Sequence, residues 1–273
     1  MNVSGTDGVN VSGAGGVNVS GSRDANEPAA AIRLEHVSKA FGTFRVLDDV
    51  SIGIPRGRAT VVLGRSGTGK SVTLRHIVGL LQPDSGRVFV DDTEITALSP
   101  SALAKVRQRI GFLFQNAALF DSITVAENVA FPLRRHSTLT DAEIRARALE
   151  KLAAVGLARA AESMPGALSG GMRKRAGLAR AMALDPAILL VDEPSAGLDP
   201  VTSEEIDDLL VQLKRERGTT LVVVTHNIPS ARRIADTMLF LHEGRVLARG
   251  TAEDLERCEH ELVRKFMRSE AGG

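Results

Sequence analysis

Alternating apolar and polar residues mark the beginning of the ordered part of the chain, near Ala31. The alternating apolar positions are Ile32, Leu34, Val50, Ile52 and Ile54. A spacing of two residues is typical of half-buried β-strands. The apolar run from Ala59 to Leu63 is instead typical of a central strand that is buried on both faces. The chain therefore begins its fold with strands.

A helical period follows this central strand. Its apolar positions, spaced i, i+3, i+4 and i+7, are Leu74, Ile77, Val78 and Leu81. This spacing predicts a helix with one buried face. Turn-forming residues from Gln82 to Gly86 predict the end of the helix. Another strand is predicted from Ile110 to Gln115.

The pattern from about residue 116 to residue 183 is mainly helical. Thr140 and Glu143 form a predicted capping box, and Ser169 is a predicted cap of a later helix. Alternation of strands and helices then returns, with apolar strands predicted at 188–191 and 221–224 and a helix between them. The pattern predicts an α/β nucleotide-binding core with a helical insertion.

The first part of the chain has a different composition. Residues 2–25 consist of three similar eight-residue units that are rich in Gly, Ser and Asn. Such a segment buries too little apolar surface to offset its ordering entropy, so we expect residues 1–30 to form a disordered tail. The predicted organisation is this tail, a folded domain over 31–268 and a short C-terminal tail over 269–273.

Overall charge and composition narrow the classes of function. The 273 residues carry a net charge of +1, which offers no electrostatic reason to expect a nucleic-acid partner. The single cysteine excludes an internal disulfide bond and suits a reducing compartment. No apolar run approaches the ~18 residues that span a bilayer. We therefore expect a cytosolic protein, or one held on the cytosolic face of a membrane by another protein.

A glycine-rich segment links the predicted central strand to the helix that follows it. Its residues are Gly64, Arg65, Ser66, Gly67, Thr68, Gly69, Lys70 and Ser71. This segment fits the phosphate-binding pattern G-x-x-x-x-G-K-[ST] in the strand-to-helix context that the pattern requires. Backbone N–H groups would surround the phosphates at the helix N-terminus. Lys70 would reach the β- and γ-phosphates, and the Ser71 hydroxyl would bind Mg²⁺.

Two adjacent carboxylates follow a second buried strand. Asp192 stands at the end of the predicted strand 188–191, and Glu193 follows it. Downstream of a phosphate loop, this pair predicts that Asp192 holds Mg²⁺ and that Glu193 orients the attacking water. The two motifs together predict an enzyme that hydrolyses nucleoside triphosphates.

With these motifs in place, the chain resembles the ATPase subunit of an ABC transporter over about residues 32–266. Further matching positions are Gln115, the signature Leu168-Ser169-Gly170-Gly171-Met172, Asp199 in the segment Ser195–Asp199, and His226 after the strand LVVVTH. The resemblance implies a P-loop NTPase core with an antiparallel β subdomain and an inserted α-helical subdomain. It also implies that the enzyme hydrolyses ATP and that Mg²⁺ is its cofactor.

The resemblance assigns roles residue by residue. The implied ATP-binding residues are Phe41, which would stack on adenine, the loop residues Gly64, Arg65, Ser66, Gly67, Thr68, Gly69, Lys70 and Ser71, then Val72 and Gln115. The implied metal ligands are Ser71, Gln115 and Asp192, and the implied catalytic residues are Glu193 and the switch histidine His226. Phe44 is the alternative candidate for the residue that stacks on adenine in place of Phe41.

The signature implies a dimer. In this family the signature acts on ATP that is held by the opposite subunit, so the chain carries two half-sites and needs a second ATPase chain. Ser169, Gly170, Gly171 and Met172 would act in trans, and Asp199 would communicate across the dimer. Met172 stands where the common signature has glutamine, so a polar contact from that position is lost.

A narrower resemblance concerns the cargo. The sequences LSGGM, FQNAALFDS at 114–122 and VAFPLR at 129–134 are similar to ATPase subunits of maintenance-of-lipid-asymmetry (Mla) systems, which are also described as toluene-tolerance systems. The implied function is to energise a transmembrane permease dimer that moves phospholipid between the inner membrane and an MCE-type lipid-binding protein. The implied location is peripheral, on the cytoplasmic face of the inner membrane. The predicted permease-docking groove is lined by Ala117, Leu119, Phe120 and Phe131.

Two other functions fit the same motifs. One is the ATPase of a different importer, for amino acids or another small solute. The other is a single-domain ABC ATPase without a transport role, such as an Fe–S assembly factor.

Overall fold

The computed structural model describes residues 30–269, so the eight-residue units and the last four residues lie outside the described residues. The strands are β1 (Ala30–Phe41), β2 (Phe44–Pro55), β3 (Ala59–Leu63), β4 (Ser85–Val90), β5 (Thr93–Glu94), β6 (Ile110–Leu113), β7 (Ile188–Asp192), β8 (Thr220–Thr225), β9 (Thr237–His242) and β10 (Arg245–Gly250). The α-helices are α1 (Lys70–Ile77), α2 (Pro100–Arg107), α3 (Val125–His136), α4 (Asp141–Ala154), α5 (Gly170–Ala181), α6 (Pro200–Arg217), α7 (Ile228–Ile234), α8 (Ala252–Arg257) and α9 (Glu261–Arg268).

The strands form two sheets. The first sheet has the order β2-β1-β4-β5 and is antiparallel throughout. The second has the order β10-β9-β3-β8-β7-β6, and its pairs are parallel except for the pair of β9 and β10. Strands β3, β7 and β8 are buried along their whole length, as their apolar sequences predict. The predicted α/β fold with an antiparallel subdomain is confirmed.

The parallel register brings distant parts of the chain to one edge of the second sheet. Leu63 pairs with Thr225 across β3 and β8, and Asp192 pairs with Val224 across β7 and β8. The carboxyl ends of the three strands therefore meet at the same edge, where ligands bind in open α/β sheets. The phosphate-loop motif follows β3 and His226 follows β8, while Asp192 ends β7 and Glu193 follows it.

Helices α3, α4 and α5 lie between β6 and β7 in the chain and pack against one another, and their apolar faces join the core that covers one side of the second sheet. The capping box predicted at Thr140 and Glu143 begins α4. A second capping box, at Thr124 and Glu127, begins α3. Each box satisfies N–H groups that the first helical turn leaves without partners. No helix within residues 30–269 has the length and apolar character needed to cross a membrane.

Several predicted boundaries differ from the structure; β4, for example, begins at Ser85, inside the predicted turn 82–86. The first helix ends at Ile77 rather than reaching Leu81, because Gly79 has a φ of 67° and turns the chain out of the helix. β6 ends at Leu113 rather than at Gln115, because the chain turns immediately after it. β1 begins at Ala30, within the predicted tail, because Ala30 pairs with Pro55 of β2.

A buried carboxyl joins α6 to α7. Asp207 is 2% exposed and accepts a hydrogen bond of 2.5 Å from the Ser230 hydroxyl. Its other carboxylate oxygen has no hydrogen-bond partner among the described residues. Burial raises the pKa of Asp207 from 3.8 to about 6. The folded state therefore favours the protonated form, and this contribution to stability is complete below about pH 4 and is lost as the pH rises through about 6.

We expect the Asp207→Asn variant to be more stable than the wild type at pH 7.5, by an amount that shrinks toward pH 5. The pKa shift of Asp207 corresponds to a difference of at most roughly 3 kcal/mol in the free energy of unfolding. Melting temperatures of both proteins across this pH range measure the effect. Asp121→Asn, at an exposed position with no described hydrogen bond or ion pair, is the control. A stability difference that does not change with pH would contradict the prediction.

Candidate functional site

The phosphate-loop segment connects β3 to α1 in a conformation that requires glycine. Gly64 has a φ of 153°, and a Cβ atom there would lie 2.3 Å from the carbonyl oxygen of Leu241. Gly69 has a φ of 100°, and its Cβ atom would lie 2.7 Å from the carbonyl oxygen of Val46. Any larger residue at these two positions would collide with backbone atoms. Glycine is therefore needed for the loop to curve tightly against β2 and β9.

Lys70 points back into the loop that precedes it. Its Nζ atom donates hydrogen bonds to the carbonyl oxygens of Gly64 at 2.8 Å and Arg65 at 3.1 Å. The same atom lies 3.6 Å from Oε1 of Glu193. Burial lowers the pKa of Lys70, while the charges of Glu193 and Asp192 act in the opposite direction. The ammonium group therefore stands between the loop backbone and the carboxylate pair.

The next residue joins α1 to the end of β7. The Ser71 hydroxyl donates a hydrogen bond of 2.8 Å to Oδ1 of Asp192. Asp192 is 6% exposed, and its burial raises the pKa of the carboxyl, against the hydrogen bond from Ser71. The hydroxyl and the carboxylate thus present two oxygen atoms side by side at the start of α1.

Glu193 lies directly beyond β7 and contacts His226. Its carboxylate oxygens lie 3.0 and 3.1 Å from Nδ1 of His226, which donates a hydrogen bond to them when it is protonated. The Glu193 side chain is nearly buried, whereas the His226 side chain is 52% exposed. The imidazole therefore covers the outer side of the carboxylate and remains accessible to a ligand.

Most of the predicted loop residues lie close to this cluster. Thr68 donates from its hydroxyl to the Arg65 carbonyl oxygen at 2.9 Å and so closes the loop. Ser66 and Gly67 are exposed at its tip, and Val72 is half-buried in the first turn of α1. The structure thus brings the phosphate loop, Asp192, Glu193 and His226 together.

Two predicted ATP-binding residues have no described contact with this cluster. Gln115 is exposed in the turn after β6, and no described hydrogen bond links it to Ser71 or Asp192. Phe41 is 48% exposed at the end of the β1–β2 hairpin, opposite Phe44, which is 63% exposed. Lys39 places its Nζ atom 5.7 Å from the centre of the Phe41 ring. Both aromatic rings remain available for stacking.

The signature residues begin α5. Ser169 is the N-cap, and its hydroxyl oxygen accepts a hydrogen bond of 3.2 Å from the backbone N–H of Met172. Ser169 is exposed, whereas Met172 is half-buried and packs against the core. A Cβ atom at Gly171 would lie 2.4 Å from Cγ2 of Thr202, so the start of α5 packs closely against Thr202 of α6. No described contact joins this helix start to the phosphate loop of the same chain.

Asp199 caps α6 beside the signature. Its carboxylate accepts hydrogen bonds from the hydroxyl and the backbone N–H of Thr202, at 2.6 and 3.0 Å. These hydrogen bonds lower the pKa of Asp199. Because Thr202 also packs on Gly171, the N-termini of α5 and α6 form one continuous surface.

Sequence reasoning missed Lys174. This residue is 5% exposed, and its Nζ atom donates a hydrogen bond of 2.9 Å to the carbonyl oxygen of Glu193. The helical period of the sequence indicated that Lys174 is buried, because Lys174 shares the buried face of α5 with Gly171 and Leu178. A lysine on an apolar helix face is a reason to look for a buried acceptor.

The predicted groove differs from the apolar surface that the structure contains. Phe120 and Phe131 are 45% and 48% exposed, and their ring centres lie 5.0 Å apart. Leu119 is partly buried against the core. Ala117 is 1% exposed and packs on Gly177. Ala117 therefore does not line a groove, and of the four predicted groove residues only Phe120 and Phe131 are exposed.

Comparison with known proteins shows the family. Residues 47–196 match the family described as ABC transporter. The chain is 40% identical to the intermembrane phospholipid transport system ATP-binding protein MlaF of Escherichia coli K12, over 90% of this chain and 91% of that protein. It is 44% identical to the "probable ribonucleotide transport ATP-binding protein mkl" of Mycobacterium tuberculosis H37Rv, over 87% of this chain. The match spans 66% of the length of the mycobacterial protein.

Solved structures agree with this result. The ATP-binding cassette MJ0796, determined as a dimer in a post-hydrolysis state with ADP and phosphate, is 37% identical and superposes with a TM-score of 0.76. That match covers 81% of this chain and 98% of the cassette. The structure of cbiO1 from Clostridium perfringens, part of an ABC transporter complex, also gives a TM-score of 0.76, at 31% identity. The chain belongs to the family of ATP-binding subunits of ABC transporters.

Proposed function

We propose that this chain binds ATP at the phosphate loop and hydrolyses it with Glu193. The observation that carries the proposal is the position of Glu193, whose carboxylate lies beside both the Lys70 ammonium and the His226 imidazole. Lys70 would exchange its contacts with the loop carbonyls for contacts with the β- and γ-phosphates. Backbone N–H groups of the loop and the start of α1 supply further positive potential for the phosphates.

The oxygen pair of Ser71 and Asp192 fits Mg²⁺. Their side-chain oxygens lie 2.8 Å apart, and Mg²⁺ typically takes one or two such protein ligands and completes its shell with phosphate oxygens and water. When bound there, Mg²⁺ would neutralise charge on the β- and γ-phosphates. Gln115 is the proposed third ligand.

In the hydrolytic step, a water oxygen attacks the γ-phosphorus and the bond to the β–γ bridging oxygen breaks. The products are ADP, phosphate and one proton. Glu193 would orient the water by accepting its hydrogen bond, and the exposed edge of His226 would contact the γ-phosphate. Both roles stabilise charge and geometry that develop in the transition state.

The active form would be a homodimer. Ser169 caps an exposed helix N-terminus that has no described contact with the phosphate loop of its own chain, and a hydroxyl with free N–H groups suits a phosphate of the opposite subunit. Gly170 and Gly171 would allow close approach. Asp199 stands beside this surface and would link the two sites. Phe41 would stack on the adenine ring.

The proposed cargo is phospholipid. The support is the similarity to MlaF, which extends over 91% of that protein. The chain would energise a transmembrane permease dimer that exchanges lipid with an MCE-type carrier, and it would reside on the cytoplasmic face of the inner membrane. The exposed pair Phe120 and Phe131 is the proposed contact for the permease. Ribonucleotide transport is the second candidate, because of the 44% identity to the mycobacterial protein.

Reconstitution tests the cargo. The transporter complex is purified by a tag on this chain and placed in liposomes that contain fluorescent phospholipid. The MCE-type protein is added as the donor or the acceptor of the lipid. We expect ATP-dependent lipid transfer that is lost when the complex carries the Glu193→Gln variant. ATP-dependent accumulation of a labelled ribonucleotide without lipid transfer would favour the second candidate. Hydrolysis without movement of either compound would contradict both cargo assignments and leave the ATPase assignment standing.

A further inference from the structure

Lys174 is a buried cation with one described hydrogen-bond partner. It lies on the inner face of α5, 5% exposed, and donates to the carbonyl oxygen of Glu193 at 2.9 Å. No described carboxylate oxygen lies within ion-pair distance of its Nζ atom. A buried ammonium group is costly unless neighbouring groups compensate for its lost hydration. The nearest compensation comes from the backbone of Glu193 and from the charges of Asp192 and Glu193.

Glu193 adopts a backbone conformation that needs support. Its φ is 47°, in the left-handed region that costs a residue with a Cβ atom roughly 1–2 kcal/mol. Its N–H donates to the carbonyl oxygen of Val224 at 2.9 Å, and its carbonyl oxygen accepts from the N–H of Ala196 at 3.3 Å. Lys174 supplies the shorter of the two hydrogen bonds to that carbonyl oxygen. The left-handed backbone directs the Glu193 side chain toward Lys70 and His226.

From this geometry we infer that Lys174 is a positioning residue for the hydrolytic reaction: it holds the peptide group of Glu193 and thereby aims the catalytic carboxylate. The inference rests on the proposed function of Glu193. Lys174 is not itself catalytic, because its described contact is with a backbone oxygen and not with a reacting atom. Its effect is to fix the left-handed turn from which the Glu193 side chain extends.

The same contact couples two parts of the dimeric site. Lys174 lies five residues beyond Ser169, on the helix that Ser169 caps. A movement of α5 when its N-terminus meets the ATP of the opposite subunit would reach the Glu193 carbonyl group through one hydrogen bond. Hydrolysis would then depend on correct seating of the signature, whereas ATP binding at the phosphate loop would not.

The test compares kinetic constants of the reconstituted transporter. Lys174→Met keeps the length and apolar stem of the side chain and removes the donor. We expect kcat for ATP hydrolysis to fall about 10-fold, which is the size of effect when one charge-assisted hydrogen bond is lost, while KM for ATP stays within about twofold. Lys174→Arg, which keeps a cationic N–H donor, should restore most of kcat. Lys174→Leu is the second variant without a donor, for use if Lys174→Met does not fold.

Two controls distinguish an effect of Lys174 on the placement of Glu193 from an effect on the stability of the protein. Lys151→Met removes another buried lysine, whose partner is Asp185; it should lower the melting temperature and leave kcat unchanged. In the Glu193→Gln background, Lys174→Met should change single-turnover hydrolysis by less than about twofold, because it acts through Glu193. An unchanged kcat in Lys174→Met, or an equal loss in both backgrounds, would overturn the inference. If Glu193→Gln itself hydrolyses ATP normally, the proposed function fails instead.

Discussion

The Glu193→Gln variant is expected to bind ATP and to hydrolyse it about 10²–10³-fold more slowly than the wild type. The substitution preserves the shape of the side chain and removes the charge that would orient and polarise water. The backbone of Glu193 remains held by Val224 and Lys174, so the fold is expected to be retained. Since the ATP is not consumed, the variant should accumulate as an ATP-bound dimer.

Phosphate release and size-exclusion chromatography with ATP and Mg²⁺ measure these two effects. Glu150→Gln is the matched control, because Glu150 is exposed on α4 and should leave hydrolysis unchanged. Turnover by Glu193→Gln close to that of the wild type would show that another group activates the water. A variant that neither binds ATP nor melts cooperatively would indicate that the fold has been lost.

The Lys70→Ala variant is expected to lose ATP affinity itself. Lys70 is the buried cation of the phosphate loop, with carbonyl oxygens of the loop on one side and Glu193 on the other. Removing a charged donor from a phosphate site costs about 1.5–3 kcal/mol, which corresponds to roughly 10–100-fold in Kd. The two variants therefore separate the binding step from the hydrolytic step.

Titration with a fluorescent ATP analogue measures this loss. Lys105→Ala, on the exposed face of α2, removes one positive charge elsewhere and is the control for the change in net charge. Equal affinity of Lys70→Ala and the wild type would remove Lys70 from the phosphate site. Weaker binding in both lysine variants would indicate a general charge effect instead.

Local sequence patterns were sufficient to predict the central strands β3, β7 and β8 and the phosphate loop. These features depend on residues that are close together in the sequence: buried strands such as β3 need apolar side chains, and tight turns such as the phosphate loop need glycine. The carboxylates after β7 likewise stand beside a strand that its own apolar residues predict. The same holds for Ser169 and Thr140, whose hydroxyls cap helices only a few residues away. The family resemblance then implied roles for residues such as Asp199 and His226, which no local pattern distinguishes from ordinary polar residues.

The tertiary structure decided which distant residues touch. The hydrogen bond between Ser71 and Asp192, and that between His226 and Glu193, follow from the order of β3, β8 and β7 in the sheet. The helical period placed Lys174 on a buried face, but the sequence did not show which groups Lys174 and Asp207 contact, because each has a buried partner from another element. Ala117 was predicted to be accessible and is buried under α5. Burial and partner choice are properties of packed elements, so a charged side chain acquires its function only when the packing determines what lies opposite it.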